Sequence, residues 1–253
     1  MKNNKIMWGL VFLMVLVTIT ISYGTRDSYS QQDDSVKQES QSQEDLTKYL
    51  IVYYDAPKPT NPKKLKQREI KNKQYDKYLA VVSKPHHETD GVILNYDEML
   101  PSETIPTEKS NLIVTGQIVS GEAFLSNDKR AVYSEYTVAI EEILKGDNPN
   151  FTAGSTITID RFGGYVRYPN GQKVLYEISE LGLPTVGSRY VLFLKTSGQS
   201  PNYQIITGYE IKEDIVKPLD DSFIIRKFRE KKEKEFKEEI RSKISKSSKP
   251  VKN

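Results

Sequence analysis

Five carboxylates in this 253-residue chain, Glu135, Glu141, Glu142, Asp160 and Glu177, fall on or beside segments of alternating hydrophobicity, where acid–base chemistry would be built on strands. Glycoside hydrolysis needs two carboxylates about 5 to 10 Å apart, and no spacing among the five singles out a pair. Acidic side chains on alternating strands ordinarily form the solvated face of an antiparallel sheet, so a carbohydrate-active or other hydrolase stands as the alternative reading. His86 and His87, the only histidines, precede Glu88 and Asp90. These are metal-ligand types, yet neighbours in an extended chain point to opposite sides, and helical ligand pairs want a spacing of three or four. A solvated loop is the simpler expectation, with no metal and no cofactor. The absence of cysteine excludes a disulfide scaffold, a thiolate metal centre and a cysteine nucleophile. No GxSxG, P-loop or GxGxxG motif is present.

Arg161, Tyr165, Arg167 and Tyr168 form the densest Arg/Tyr cluster and are the candidate binding surface. On a hairpin such side chains can stack sugars or bases. The competing reading is cross-strand tyrosine packing between solvated arginines.

Charge is segregated along the chain. Residues 58–77 carry 8 basic against 2 acidic groups, 78–220 carry 12 against 19, and 221–253 carry 12 against 6. The acidic middle, together with export, disfavours nucleic acid as a partner. Residues 226–252, with Phe236, Ile240 and Ile244 among lysines, are the candidate contact with an anionic envelope polymer or lipid. An internal alternative sets both basic segments against the acidic middle.

The elements that must position these groups follow from periodicity. Lys2 and Lys5 precede an uncharged apolar run, Ile6 to Gly24, in the order of a secretory signal, with small residues before a cleavage point. Its length also suits a single membrane span, so residues 1–24 are a signal peptide or a signal anchor through 6–24. Either places the body outside the cytoplasm, secreted, periplasmic or held at the inner membrane. Residues 25–48 are polar and acidic, a disordered tether. Residues 49–110 hold a short strand, a polar basic helix opened by Asn61 and Pro62, and an irregular segment broken by Pro85, Pro101 and Pro106. Leu65, Ile70 and Tyr75 spread around that helix, which is expected to be solvated or loosely docked.

From residue 111 to 219 the period is two. Leu112, Val114 and Ile118 share a face, as do Val132, Tyr136, Val138 and Ile140, while Asn170-Gly171 suits a type I′ hairpin. Tyr190 to Leu194 is apolar without alternation, as in a strand covered on both faces. Six or seven strands without helical interruption predict a mainly β fold: a single antiparallel β-barrel or sandwich. Asp220-Asp221-Ser222 caps a charged helix over 220–246, and 247–253 is a disordered tail.

The stretch Tyr136-Thr-Val-Ala-Ile-Glu-Glu-Ile-Leu-Lys-Gly146, with Gly154-Ser-Thr-Ile-Thr-Ile, Val186-Gly-Ser-Arg-Tyr-Val-Leu-Phe-Leu194, Leu125 to Lys129 and Lys73 to Lys77, resembles a recurring, functionally uncharacterised type of exported bacterial protein. The strand ending in Leu144-Lys145-Gly146 is more distantly similar to netrin-like and tissue-inhibitor modules. That resemblance implies an OB-type barrel and supplies no activity. The expectation is a non-enzymatic binding or scaffolding module of the bacterial cell envelope.

Overall fold

The computed structural model describes residues 50–76, 91–94, 100–146, 149–196 and 202–247. All belong to one compact unit, Leu46–Asn253. The signal or anchor, the tether, His86 and His87, and the tail from 248 lie outside the described residues. Among the described residues no helix is long and apolar enough to cross a membrane.

The described residues form the strands β1 (Ile51–Tyr53), β2 (Gly91–Leu94), β3 (Leu112–Leu125), β4 (Val132–Lys145), β5 (Thr156–Phe162), β6 (Gly164–Arg167), β7 (Lys173–Ile178), β8 (Arg189–Thr196), β9 (Tyr203–Lys212), β10 (Ile215–Pro218) and β11 (Lys231–Lys232), of which β3 to β10 lie in the period-two span, while β2 falls in the segment expected to be irregular. Among the described residues two α-helices accompany them, α1 (Pro62–Lys73) and α2 (Glu233–Ser247). The fold is mainly β, as expected. Seven strands form one sheet in the order β11-β10-β9-β5-β4-β3-β8, and four form another, β1-β6-β7-β2.

The large sheet is not a closed barrel, which corrects the expectation. It curls until β8 pairs with β9 as well as β3, but β5 and β9 share only two register pairs, Ile159 with Tyr203 and Asp160 with Gln204. Beyond that seam β10 and β11 continue the sheet to an edge. Nor is the fold wholly antiparallel: β5 and β9, β1 and β6, and β2 and β7 run parallel. Parallel partners are distant in sequence, so no local turn signal announces them.

Alternation decides which core each side chain enters. Val114, Ile118, Val138, Ile159 and Leu192 fill the concave side of the curled sheet. Ile113, Val191, Phe193 and Tyr209 face the other way, under Phe236 and Ile240 of α2. The run Tyr190 to Leu194 is thus covered on both faces. A third core, with Val132, Tyr133, Phe162, Val166 and Tyr176, gathers between the sheets. The chain passes from one sheet to the other at Gly163 and Gly164, whose φ of 113° and 148° few side-chain-bearing residues adopt.

Two local expectations change. At the β6–β7 hairpin only Gly171 has positive φ, 86°, so the turn is not type I′, which needs two such residues. Tyr168 and Gln172 close it instead, with the Asn170 side chain accepting from Gln172 N. A Cβ on Gly171 meets nothing within 4 Å, so Gly171→Ala is expected to cost only conformational strain, about 1–2 kcal/mol in a urea titration. The C-terminal helix starts at Glu233, not at the Asp220 cap. Ile225–Lys227 make a single 3-10 turn, Phe228 is extended (φ −65°, ψ 136°), and Lys231 and Lys232 pair with β10 before the helix begins.

Candidate functional site: a groove beside α1

Asn61 caps α1 as the sequence indicates, its side chain accepting from Lys63 N (3.0 Å) and Lys64 N (3.2 Å), with Pro62 in the first turn. The helix has two working faces. Arg68, Lys71 and Tyr75, on the helix and the turn after it, point to the large sheet, whereas Leu65, Lys66, Glu69, Ile70 and Lys73 line a groove.

On the sheet side the contact is polar. Glu135 of β4 and Asp160 of β5 are direct register partners, an arrangement that would repel if both were charged and alone. The Lys71 ammonium sits 2.8 Å from Glu135 Oε1 and 4.0 Å from Asp160 Oδ2. Arg68 donates to the same Glu135 oxygen and to the Tyr133 hydroxyl, and Tyr75 donates its hydroxyl to Asp160 Oδ2. Tyr133 in turn donates to Asn72 Oδ1, and the Tyr75 and Tyr133 rings stack at 4.0 Å. Burial pushes the Asp160 carboxyl above its ordinary range, with Lys71 and the Tyr75 hydrogen bond pulling the other way. This cluster clamps the helix to the sheet, so of the two expectations, solvated or loosely docked, α1 follows the docked one, and through polar contacts.

Four of the five strand carboxylates, Glu135, Glu141, Glu142 and Asp160, are engaged. Glu135 and Asp160 are the two the fold brings together, but Asp160 is fully buried beneath Tyr75 and Lys71. Glu141 accepts from Arg189, and Glu142 pairs with Lys237 and Arg241. Burial raises Glu142, and those two cations outweigh it and hold the carboxyl below its usual range. Glu177 of β7 stands near Tyr165 of β6. Among the described residues no group of three acidic or histidine side chains is placed to hold a metal.

The four residues of the expected Arg/Tyr surface do not share one. Arg161 is 4% exposed and its guanidinium pairs with Asp220 inside the protein, because the end of β5 is covered on both faces. Tyr165 is half-buried under the Lys173 ammonium, 4.3 Å from the ring centroid. Tyr168 stacks on Tyr54 and bonds the Tyr176 hydroxyl at 2.8 Å, which is the tyrosine-packing alternative. Arg167 alone is exposed.

Among the described residues the structure presents a groove of about 780 Å³ between β1 with residues 54–59, the outer face of α1, and the end of β3 with the following turn. Its volume lies in the range of small-molecule sites. Val52, Leu65, Ile70, Phe124 and Leu125 supply apolar surface, and Lys58, Lys66, Lys73 and Lys129 supply positive charge. Glu69 and Glu122 are its carboxylates, and Glu69 lies 4.0 Å from Lys58. Arg68 stacks 3.5 Å above the Phe124 ring, and Lys129 lies 4.5 Å over Tyr54 while donating to its carbonyl. One end is fixed by Asp76, which accepts from Asn127 N (2.7 Å) and Asp128 N (3.2 Å). A smaller hollow of about 470 Å³, with Ser120, Thr137 and Thr158 on its wall, adjoins the groove at Ile51 and Glu122. Composition marked residues 58–77 as basic; what it could not show is which lysines share a face with the apolar positions.

The large apolar groups of the other basic segment are committed internally, which corrects their reading as a lipid anchor, while Lys227, Lys232, Lys234 and Lys246 stay exposed and residues 248–252 lie outside the described residues. Phe236 and Ile240 are fully buried against Tyr209 and Phe228, and Lys237 and Arg241 pair with Glu142 of β4. A lipid surface would find no apolar anchor at those two positions.

A scan against protein-family models matches no family, and a search of curated proteins finds no match.

Proposed function

We propose that this chain is an exported or membrane-anchored, non-enzymatic binding module of the bacterial cell envelope that seats an anionic ligand in the groove beside α1. The observation that carries the reading is the groove itself: a concave site with aromatic and aliphatic walls and lysines at Lys58, Lys66, Lys73 and Lys129. An OB-like scaffold fits this role. Its support is the circuit from β3 through β4, β5 and β9 back by β8 to β3, the plan of a partly open barrel that presents its loops and outer strands to ligands. Export rests on the lysine-preceded apolar run of residues 6–24.

Fractionation of bacteria producing the full chain tests the proposal, with intact mass read on each fraction. The protein is expected outside the cytoplasm, and the chain lacking residues 1–24, added back to isolated envelopes, is expected to bind them and to lose that binding when Lys66 and Lys73 are both changed to Glu. Recovery of the unaltered full chain in the cytoplasm, or add-back binding indifferent to the double substitution, would reject it.

A further inference from the structure

Four large apolar side chains are exposed among the described residues, Tyr53, Ile70, Val119 and Phe223, and two of them stand at the groove: Tyr53 at 52% and Ile70 at 44%. Behind them Leu65, Phe124 and Leu125 are only half-buried. Exposed apolar surface gathered in a concavity marks a place where something apolar is meant to sit. The charge around it has one sign in excess. Lys66 and Lys73 lie seven residues apart, two turns along the same face of α1, with Ile70 between them. Neither has an ion-pair partner among the described residues. A neutral hydrophobic ligand would gain nothing from that pair of ammonium groups, and a simple polyanion would gain nothing from Ile70, Leu65 and Leu125.

We infer that the groove takes a single anionic amphiphile, an apolar tail lying along Leu65, Ile70 and Leu125 with a phosphate or carboxylate head held between Lys66 and Lys73. The ligand enters as a monomer. The site is a concavity of about 780 Å³, the size of one small-molecule ligand, whereas a bilayer presents a broad surface that such a groove cannot enclose. This inference deepens the binding reading and rests on it for the groove being the ligand seat; it does not depend on where in the cell the protein resides.

The test is isothermal titration of the full chain with dodecyl phosphate below its micellar concentration. Methyl phosphate serves as the head alone, dodecanol as the tail alone, and phosphatidylglycerol vesicles as the bilayer. Dodecyl phosphate is expected to bind at least about tenfold more tightly than methyl phosphate, since tail burial adds to the head contact. Lys66→Glu with Lys73→Glu is expected to weaken dodecyl phosphate by about tenfold or more while leaving dodecanol unchanged. Ile70→Glu is expected to weaken both tailed compounds. All three positions are exposed, and circular dichroism checks that the variants stay folded. Equal affinity for methyl and dodecyl phosphate overturns the inference, as does indifference to both sets of substitutions. Binding to the vesicles without binding to monomeric dodecyl phosphate also overturns it, and would make the face a membrane contact. Failure here with envelope binding intact in the add-back experiment rejects the amphiphile and leaves the binding module standing.

Discussion

Asp220→Ala is expected to remove about 3–5 kcal/mol of stability, measured as a lower urea midpoint with unchanged slope. The Asp220 carboxylate is 3% exposed and accepts from the Arg161 guanidinium, from Gly182 N at 3.0 Å and from the Thr207 hydroxyl at 2.8 Å. Deleting it leaves Arg161 charged and sealed from water, with Nε and Nη1 already without hydrogen-bond partners among the described residues. An uncompensated buried charge is far worse than none, because neither water nor a counter-charge stabilises it. The pair itself contributes much less than that loss suggests, since both ions were desolvated to form it. Arg161→Met combined with Asp220→Leu is therefore expected to recover most of the stability that Asp220→Ala removes. A single substitution costing under about 1 kcal/mol, or a double substitution no better than the single, would contradict this account.

Phe236→Ala is the second large effect, about 3–5 kcal/mol from lost burial and the cavity left behind. The ring is fully buried, 4.8 Å from the Tyr209 centroid and 5.3 Å from that of Phe228. In a domain of this size such a loss lowers the melting temperature by about 6–20 °C. A helix that instead offered Phe236 to lipid would melt unchanged after the substitution and lose vesicle association. Scanning calorimetry alongside vesicle sedimentation separates the two: a large drop in melting temperature supports packing of α2 on the sheet, and an unchanged one refutes it.

Much of the fold was legible wherever hydrophobicity alternates. Val114 and Val138 on one core, and the uninterrupted Tyr190 to Leu194 between two, follow directly from period two and its suspension. The Asn61 cap of α1 was equally plain. What escaped was held together by polar groups or by distant partners. Lys71 and Arg68 read as solvated charge because a helix docked through ion pairs shows no apolar stripe. Asp220 has the residue type of an N-cap, and only the fold reveals its partner Arg161, 59 positions earlier. Arg161 carries no sequence sign of its burial, because alternation fails where both faces of β5 are covered. The groove was invisible as a unit, since residues 51–73 and 122–129 meet only after folding.

The clamp that holds α1 also orders events in time. Its bonds span 65, 67 and 85 residues, and β1 pairs with β6, more than a hundred positions downstream. A chain emerging from its N-terminus first would present α1 long before Tyr133, Glu135 and Asp160 exist to receive it. Long loops must close before those contacts offset their entropy, so docking of the first segment belongs late in the sequence of folding steps. The groove, whose walls include that segment, is then among the last features to mature, and a chain truncated ahead of β5 would lack Asp160 and half the clamp.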